Sequence, residues 1–114
     1  MPPIQKLNQS RDFRRLYARG TSAVCSVCAI YYRKNRRAFN RIGITASTKI
    51  GNAVQRNRAK RLLTEAYRLL MPRLRPGYDL ILVARRHTVD VKLNAVLNGM
   101  TGLLTAAGLV EKEQ

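Results

Sequence analysis

A small α/β sandwich, of the α+β kind and with the element order αββαβα, is the fold class this sequence predicts, and three observations predict it. The spacing of apolar residues switches repeatedly between the helical and the strand period along the chain. The chain has 114 residues, 46% of them hydrophobic, which suits one core and one domain. It shows no internal repeat, low-complexity tract or linker long enough to divide it.

The first element is a helix over Ser10–Arg19. Ser10 is a candidate N-cap, Phe13, Leu16 and Tyr17 fall at i, i+3 and i+4, and Gly20 is a stop. Ala23–Arg33 is rich in Val, Ile, Cys and Tyr and reads as a strand region that is open to division into two. The basic stretch Arg33–Arg37 joins it to Arg41–Ser47, where Ile42, Ile44 and Ala46 alternate with small residues as a second strand. After Lys49-Ile50-Gly51-Asn52 the period becomes 3.6, predicting a helix over Ala53–Leu70. Its apolar arc holds Ala59, Leu62, Leu63, Ala66, Leu69 and Leu70, and its opposite arc Asn57, Arg58, Lys60, Arg61, Thr64, Glu65 and Arg68. Pro72 and Pro76-Gly77 end it. Tyr78–Ala84 is an almost continuous apolar run, as expected of an interior strand covered on both faces. Leu93, Val96, Leu97, Met100, Leu103, Leu104 and Ala107 recur at helical spacing, and Gly108 is the stop.

Charge narrows the function classes. Against 22 Lys and Arg stand 6 Asp and Glu, a formal +16, and so large a self-repulsion points to a polyanionic partner. No run approaches the roughly 18 to 20 apolar residues of a membrane span. The opening Met1-Pro2-Pro3-Ile4-Gln5-Lys6 lacks the apolar stretch of a secretory signal, so a cytoplasmic protein with no membrane partner is expected. Cys25 and Cys28 are read as reduced packing residues. Zinc would need two further ligands, His87 lies far away in sequence, and a continuous strand would place the two thiols on opposite faces. Scattered acids and a single histidine offer neither a metal cluster nor an activated nucleophile, so no catalytic residue and no metal ligand is expected in this chain.

The densest chemistry is Arg56-Asn57-Arg58-Ala59-Lys60-Arg61, four cations in six residues at the start of a helix. A helix N-terminus already favours phosphate, and cations placed against its dipole imply an anion to offset them. A merely solvated basic face is the competing reading. Arginines outnumber lysines, and the guanidinium is the better bidentate phosphate ligand and stacking plane, which suits RNA. Phe13, Tyr17, Tyr31 and Tyr32 are the candidates for stacking unpaired bases, although the helical aromatics also fit a core role.

From Arg41 to Arg68 the sequence closely resembles the protein subunit of bacterial ribonuclease P, with Gly51-Asn52-Ala53-Val54-Gln55-Arg56-Asn57-Arg58-Ala59-Lys60-Arg61 as its most specific part. The resemblance extends to Asp12–Gly20 and to Asp79–Arg85. It implies that the whole chain, 1–114, is one RNA-binding domain, an accessory subunit of an RNA-based endoribonuclease. The catalytic centre and its Mg2+ then belong to the RNA, and the protein itself binds no cofactor. The implied partners are that catalytic RNA and precursor tRNA, whose 5′ leader is removed; no obligate protein partner is implied. Arg56, Asn57, Arg58, Lys60, Arg61 and Arg68 match the basic helix that lies against the RNA, with Ser47, Lys49 and Asn52 nearby. Phe13, Tyr17 and Tyr31 match the cleft that receives the leader. The family fold also implies a left-handed strand-helix-strand crossover, against the usual right-handed rule. Two positions depart from the pattern: Ser47-Thr48-Lys49 stands where relatives commonly read Ser-Lys-Lys, and Thr64 stands where they commonly carry arginine.

The alternative from another class is a small basic ribosomal or other structural RNA-binding protein. A stand-alone metal-dependent nuclease is disfavoured by the missing acidic cluster.

Overall fold

The computed structural model describes residues 4–110, so the first three residues of the opening segment lie outside the described residues. Ten elements follow in order: α1 (Ser10–Arg19), β1 (Thr21–Val24), β2 (Cys28–Lys34), β3 (Arg41–Thr45), a 3-10 turn (Thr48–Ile50), α2 (Ala53–Leu70), a second 3-10 turn (Met71–Arg73), β4 (Tyr78–Ala84), a third (Arg86–Asp90), and α3 (Leu93–Ala106). The four strands form one mixed sheet in the order β1-β2-β4-β3. β1 and β4 both pair antiparallel with β2, and β3 runs parallel to β4. The expected α+β class is therefore present, and β3–α2–β4 is a parallel strand-helix-strand crossover.

β4 is interior, as its apolar run predicts. Leu80, Ile81 and Leu82 are wholly buried, and alternation along the strand sends them to different faces. Leu80 and Leu82 join Ile30, Ile42, Leu63, Val96, Met100 and Leu104 in the main core, beneath α2 and α3. Ile81 turns the other way, into a smaller cluster with Leu7 and Leu16 that Phe13, Tyr31 and Val83 border. The sandwich of sheet and helices thus has α1 added on its opposite face. α1 is held close because Gly43 of β3 lacks a side chain: a Cβ there would lie 2.5 Å from the Phe13 ring.

The strand region Ala23–Arg33, which the sequence left open to division, is divided: it breaks at Cys25–Val27 into the β1–β2 hairpin. The break lacks Gly, Pro or Asn because partners elsewhere hold it. Thr88, wholly buried, donates its hydroxyl to the Val27 carbonyl at 2.6 Å, and Arg85 Nη1 donates to the Cys25 carbonyl at 2.8 Å. Gly99 of α3 supplies the space, since a Cβ there would come 2.4 Å from Val27 and 3.0 Å from the Cys25 sulfur. Consequently Cys25 and Cys28 are not on opposite faces: the turn brings their sulfurs to 3.9 Å, with Cys28 buried and Cys25 half-buried. Burial first, and then the neighbouring Cys25, push the Cys28 thiol up to about 12. Finally, the packed face of α2 is rotated from the arc expected. Tyr67 is buried, whereas Leu69 is 52% exposed, and Leu62 only borders the core.

At the start of β3 and β4, Arg41 bridges Asp79 through two guanidinium nitrogens at 2.9 and 2.6 Å, and approaches Asp12 of α1 at 3.7 Å. Asn35 adds a 2.9 Å bond to Asp79. Burial works to raise the Asp79 carboxyl, but the hydrogen bonds from Arg41 and Asn35 and the nearby charges outweigh it and hold it below its ordinary value. A carboxylate depressed on folding stabilises the fold above its unfolded value, about 3.9, and loses that contribution as pH falls through the lower folded value. Urea midpoints of the wild type should therefore drop between pH 7 and about pH 3, and Asp79→Asn should show a smaller acid loss and a lower midpoint at neutrality. Equal acid sensitivity in both proteins would show that other carboxylates govern the effect.

Candidate nucleic-acid interface

The long helix α2 begins at a built cap. The Asn52 side chain accepts the Gln55 N–H at 2.9 Å, and the Gln55 side chain accepts the Asn52 N–H at 2.9 Å, a reciprocal capping box. Gly51, at φ +151°, is required beside it, since a Cβ would fall 2.0 Å from the Gln55 oxygen. Asn52 is thus engaged in the cap, and part of the helix end is satisfied internally.

Downstream, Ala59, Leu63, Ala66, Tyr67 and Leu70 anchor α2 to the core. That burial fixes the outward direction of the intervening residues, and Asn57, Arg58, Lys60, Arg61 and Arg68 are all exposed. Arg56 is half-buried and donates to the Gly51 carbonyl at 2.8 Å, bracing the turn. The Arg58 guanidinium extends toward the Val89 and Val91 carbonyls at 3.4 and 3.5 Å, contacts long enough to yield readily to a phosphate. Arg68 pairs with Glu65 at 2.9 Å on the surface. Thr64 returns its hydroxyl to the Lys60 carbonyl at 2.8 Å, a bond internal to the helix. Ser47 and Lys49 are exposed on the segment between β3 and the cap, so the chain itself joins this helix to the strand under Phe13.

The three aromatic candidates also come together. Tyr17 and Tyr31 meet edge to face, their ring centroids 4.8 Å apart at 80°. Tyr31 and the half-buried Phe13 border the small cluster under α1, while Tyr17 is 43% exposed. Tyr32 lies on the opposite face, against the main core. The three rings thus form one aromatic group beside α1, with Tyr17 the most open to solvent and Phe13 also serving as packing. Among the described residues no group of three or more His, Cys, Asp or Glu could hold a metal ion, and no helix is long and apolar enough to cross a membrane.

A family model for ribonuclease P matches residues 1–108. The chain belongs to the bacterial ribonuclease P protein family. It is 38% identical over 110 residues to the ribonuclease P protein component of Alkaliphilus oremlandii, covering 96% of both chains, and 39% identical over 101 residues to that of Thermoanaerobacter sp., covering 89% of this chain and 87% of the relative. Among solved structures it resembles the ribonuclease P protein of Staphylococcus aureus, with a TM-score of 0.84 at 27% identity over 96% of this chain and 100% of that one. It also resembles that of Thermotoga maritima, with a TM-score of 0.81 at 26% identity over 95% and 99%. Membership in this family makes the chain a component of an RNA-based endonuclease and implies a role in tRNA maturation and association with ribonuclease P RNA.

The sequence reading missed two things in this region of the ribonuclease P fold. Asn52 is a cap, which the spacing Asn52-x-x-Gln55 already encodes. Arg11, Arg15 and Arg19 form an i, i+4, i+8 row on α1, a spacing visible in the sequence but overshadowed by the denser run on α2. The division of labour on α2 is testable. Asn52→Ala should cost about 0.5–2 kcal/mol of folding stability while RNA affinity measured below its melting transition stays near wild type. Arg61→Ala should leave the melting temperature unchanged and weaken binding to ribonuclease P RNA. The reverse pattern would move Asn52 into the RNA contact.

Proposed function

We propose that this chain is the non-catalytic subunit of cytoplasmic ribonuclease P, one RNA-binding domain that docks on the catalytic RNA and steers the 5′ leader of precursor tRNA. The observation that carries this reading is the exposed row Asn57, Arg58, Lys60 and Arg61, presented by a capped helix whose other face is anchored in the core. Exposed cations on a rigid support bind phosphates with little ordering cost, and phosphate contacts dominate affinity for RNA. Lys49, Ser47 and Arg68 extend the row. Phe13, Tyr17 and Tyr31 receive leader bases, which stack on aromatic faces without sequence demand.

In this reading the chain holds, orients and neutralises, and the hydrolytic step belongs to the RNA with its Mg2+. By reducing phosphate repulsion between catalytic RNA and substrate, the protein lowers the magnesium concentration that the assembly needs. Neither a cofactor of its own nor an obligate protein partner enters the scheme.

The test is reconstitution. Purified protein added to protein-free ribonuclease P RNA should restore precursor tRNA cleavage at low magnesium, and protein alone should cleave nothing. Tyr17→Leu and Tyr31→Leu, which keep most of the apolar volume, should cost about 1–3 kcal/mol in binding precursor tRNA to the reconstituted enzyme, with mature tRNA bound as before. An unchanged precursor-to-mature affinity ratio with the fold intact would place the leader elsewhere. Failure to stimulate the RNA at all would leave the ribosomal alternative standing.

A further inference from the structure

On the far flank of α1 from the aromatic rings lies a basin of about 750 Å3 between α1, the end of β2 and the β2–β3 loop. At 100° per residue, Arg11, Arg15 and Arg19 lie on the side of α1 opposite Phe13 and Tyr17, with the buried Leu16 between the two sets. These three arginines form one wall. Arg33 and Lys34, at the end of β2, form a second. Arg36 and Arg37, both exposed, rise from the loop as a third.

The two acids in the lining, Asp12 and Asp79, are already occupied by Arg41 on the floor. Among the described residues none of the rim cations forms an ion pair; Arg37 adds only a longer-range attraction to Asp79 and stands 5.9 Å from the centre of the Phe39 ring. Arg11, Arg15 and Arg19 are like charges four residues apart on one helix face, which repel each other in the absence of an anion.

The loop is built, not loose. Asn35 accepts the Arg37 N–H at 2.8 Å and donates to the Phe39 carbonyl at 3.1 Å, while the Asn35 N–H reaches the Gly77 carbonyl at 2.8 Å. Asn40 ties the other end to Arg75 and Tyr78 at 3.0 and 2.8 Å. Between these anchors Arg36 is held at φ +61°, the one non-glycine residue with positive φ among the described residues. An arginine has no intrinsic preference for that conformation, and such strain concentrates at ligand clamps.

The chemistry selects the ligand. Leu16 is the one apolar side chain in the lining, so the basin suits neither a hydrophobic small molecule nor the acyl boundary of a membrane. A row of guanidinium groups on three walls, wider than one anion requires, fits consecutive phosphates of a single strand. Access is continuous with the aromatic rings, because the exposed ridge of α1 between the two flanks carries Arg14 and the small Ser10 and Ala18.

We propose that this basin binds the 5′-distal phosphates of the precursor tRNA leader after the strand has crossed α1 from the aromatic cleft. The proposal rests on the leader reading above and extends it by a second, purely electrostatic subsite.

The experiment uses the reconstituted holoenzyme and precursor tRNAs with leaders of about 4 and about 16 nucleotides, bracketing common single-strand site sizes. The variant combines Arg15→Gln, Arg19→Gln and Arg36→Gly; the last removes a cation and relieves the positive φ, so it supports folding, and a melting curve confirms the fold. With the long leader, the slope of log affinity against log salt should fall by about 2, near 0.7 for each of three lost phosphate contacts. The short-leader substrate and assembly with the catalytic RNA should be unchanged. Equal losses with both leaders, weakened assembly, or no change anywhere would each overturn the subsite. Tyr17→Leu is run in parallel: if it leaves the short-leader substrate unaffected, the cleft reading fails, and the long-leader comparison still judges the basin by itself.

Discussion

Both faces of β4 must be covered, and the positions of all three helices follow from that. Leu80 and Leu82 face one way and Ile81 the other, and all three are wholly buried. Apolar side chains on both faces of an interior strand require helices on both sides of the sheet. α2 and α3 meet that need on one face and α1 on the other. α1 and α2 each keep an outward side that packing does not use, and these two helices carry nine of the 22 Lys and Arg, whereas α3 carries none. The ribonuclease P protein fold thus presents basic surfaces in two directions because its central strand is apolar in two directions.

The placement of charge follows a consistent rule. Where a cation has a structural task it has a partner: Arg41 with Asp79 and Asp12, Arg85 with the Cys25 carbonyl, Arg56 with the Gly51 carbonyl. Lys60 and Arg61, like the arginine row of α1, stand exposed. With 22 cations and 6 acids, pairing all of them is arithmetically excluded, and two of the acids, Asp12 and Asp79, are engaged by Arg41 at the junction of α1, β3 and β4. Surface ion pairs are worth little, so leaving the outer cations free costs the fold modestly and keeps them available to phosphates.

The α+β class, the interior position of β4, the span of α2 and the basic row Arg56–Arg61 are all legible in the sequence. Each of these is local: a period, a run or a composition that adjacent residues express together. The cap at Asn52 is local in the same way, encoded by the Asn52-x-x-Gln55 spacing. The other features depend on residues distant in the chain. The break of Ala23–Arg33 at Cys25–Val27 carries no turn residue, because Thr88, Arg85 and Gly99, at least 60 positions away, supply the hydrogen bonds and the space. The approach of the two cysteine sulfurs follows from that turn and reverses what strand alternation predicts. Burial of Tyr67 in place of Leu69 was set by how α2 rotates against the sheet, which periodicity defines only to within a neighbouring residue. The basin beside α1 belongs to the same class: its three walls are modest runs of arginine in sequence, and they become one surface because Phe13 seated over Gly43 draws α1 against β3. Charge patterns are written along the chain, whereas the faces they share are written by packing.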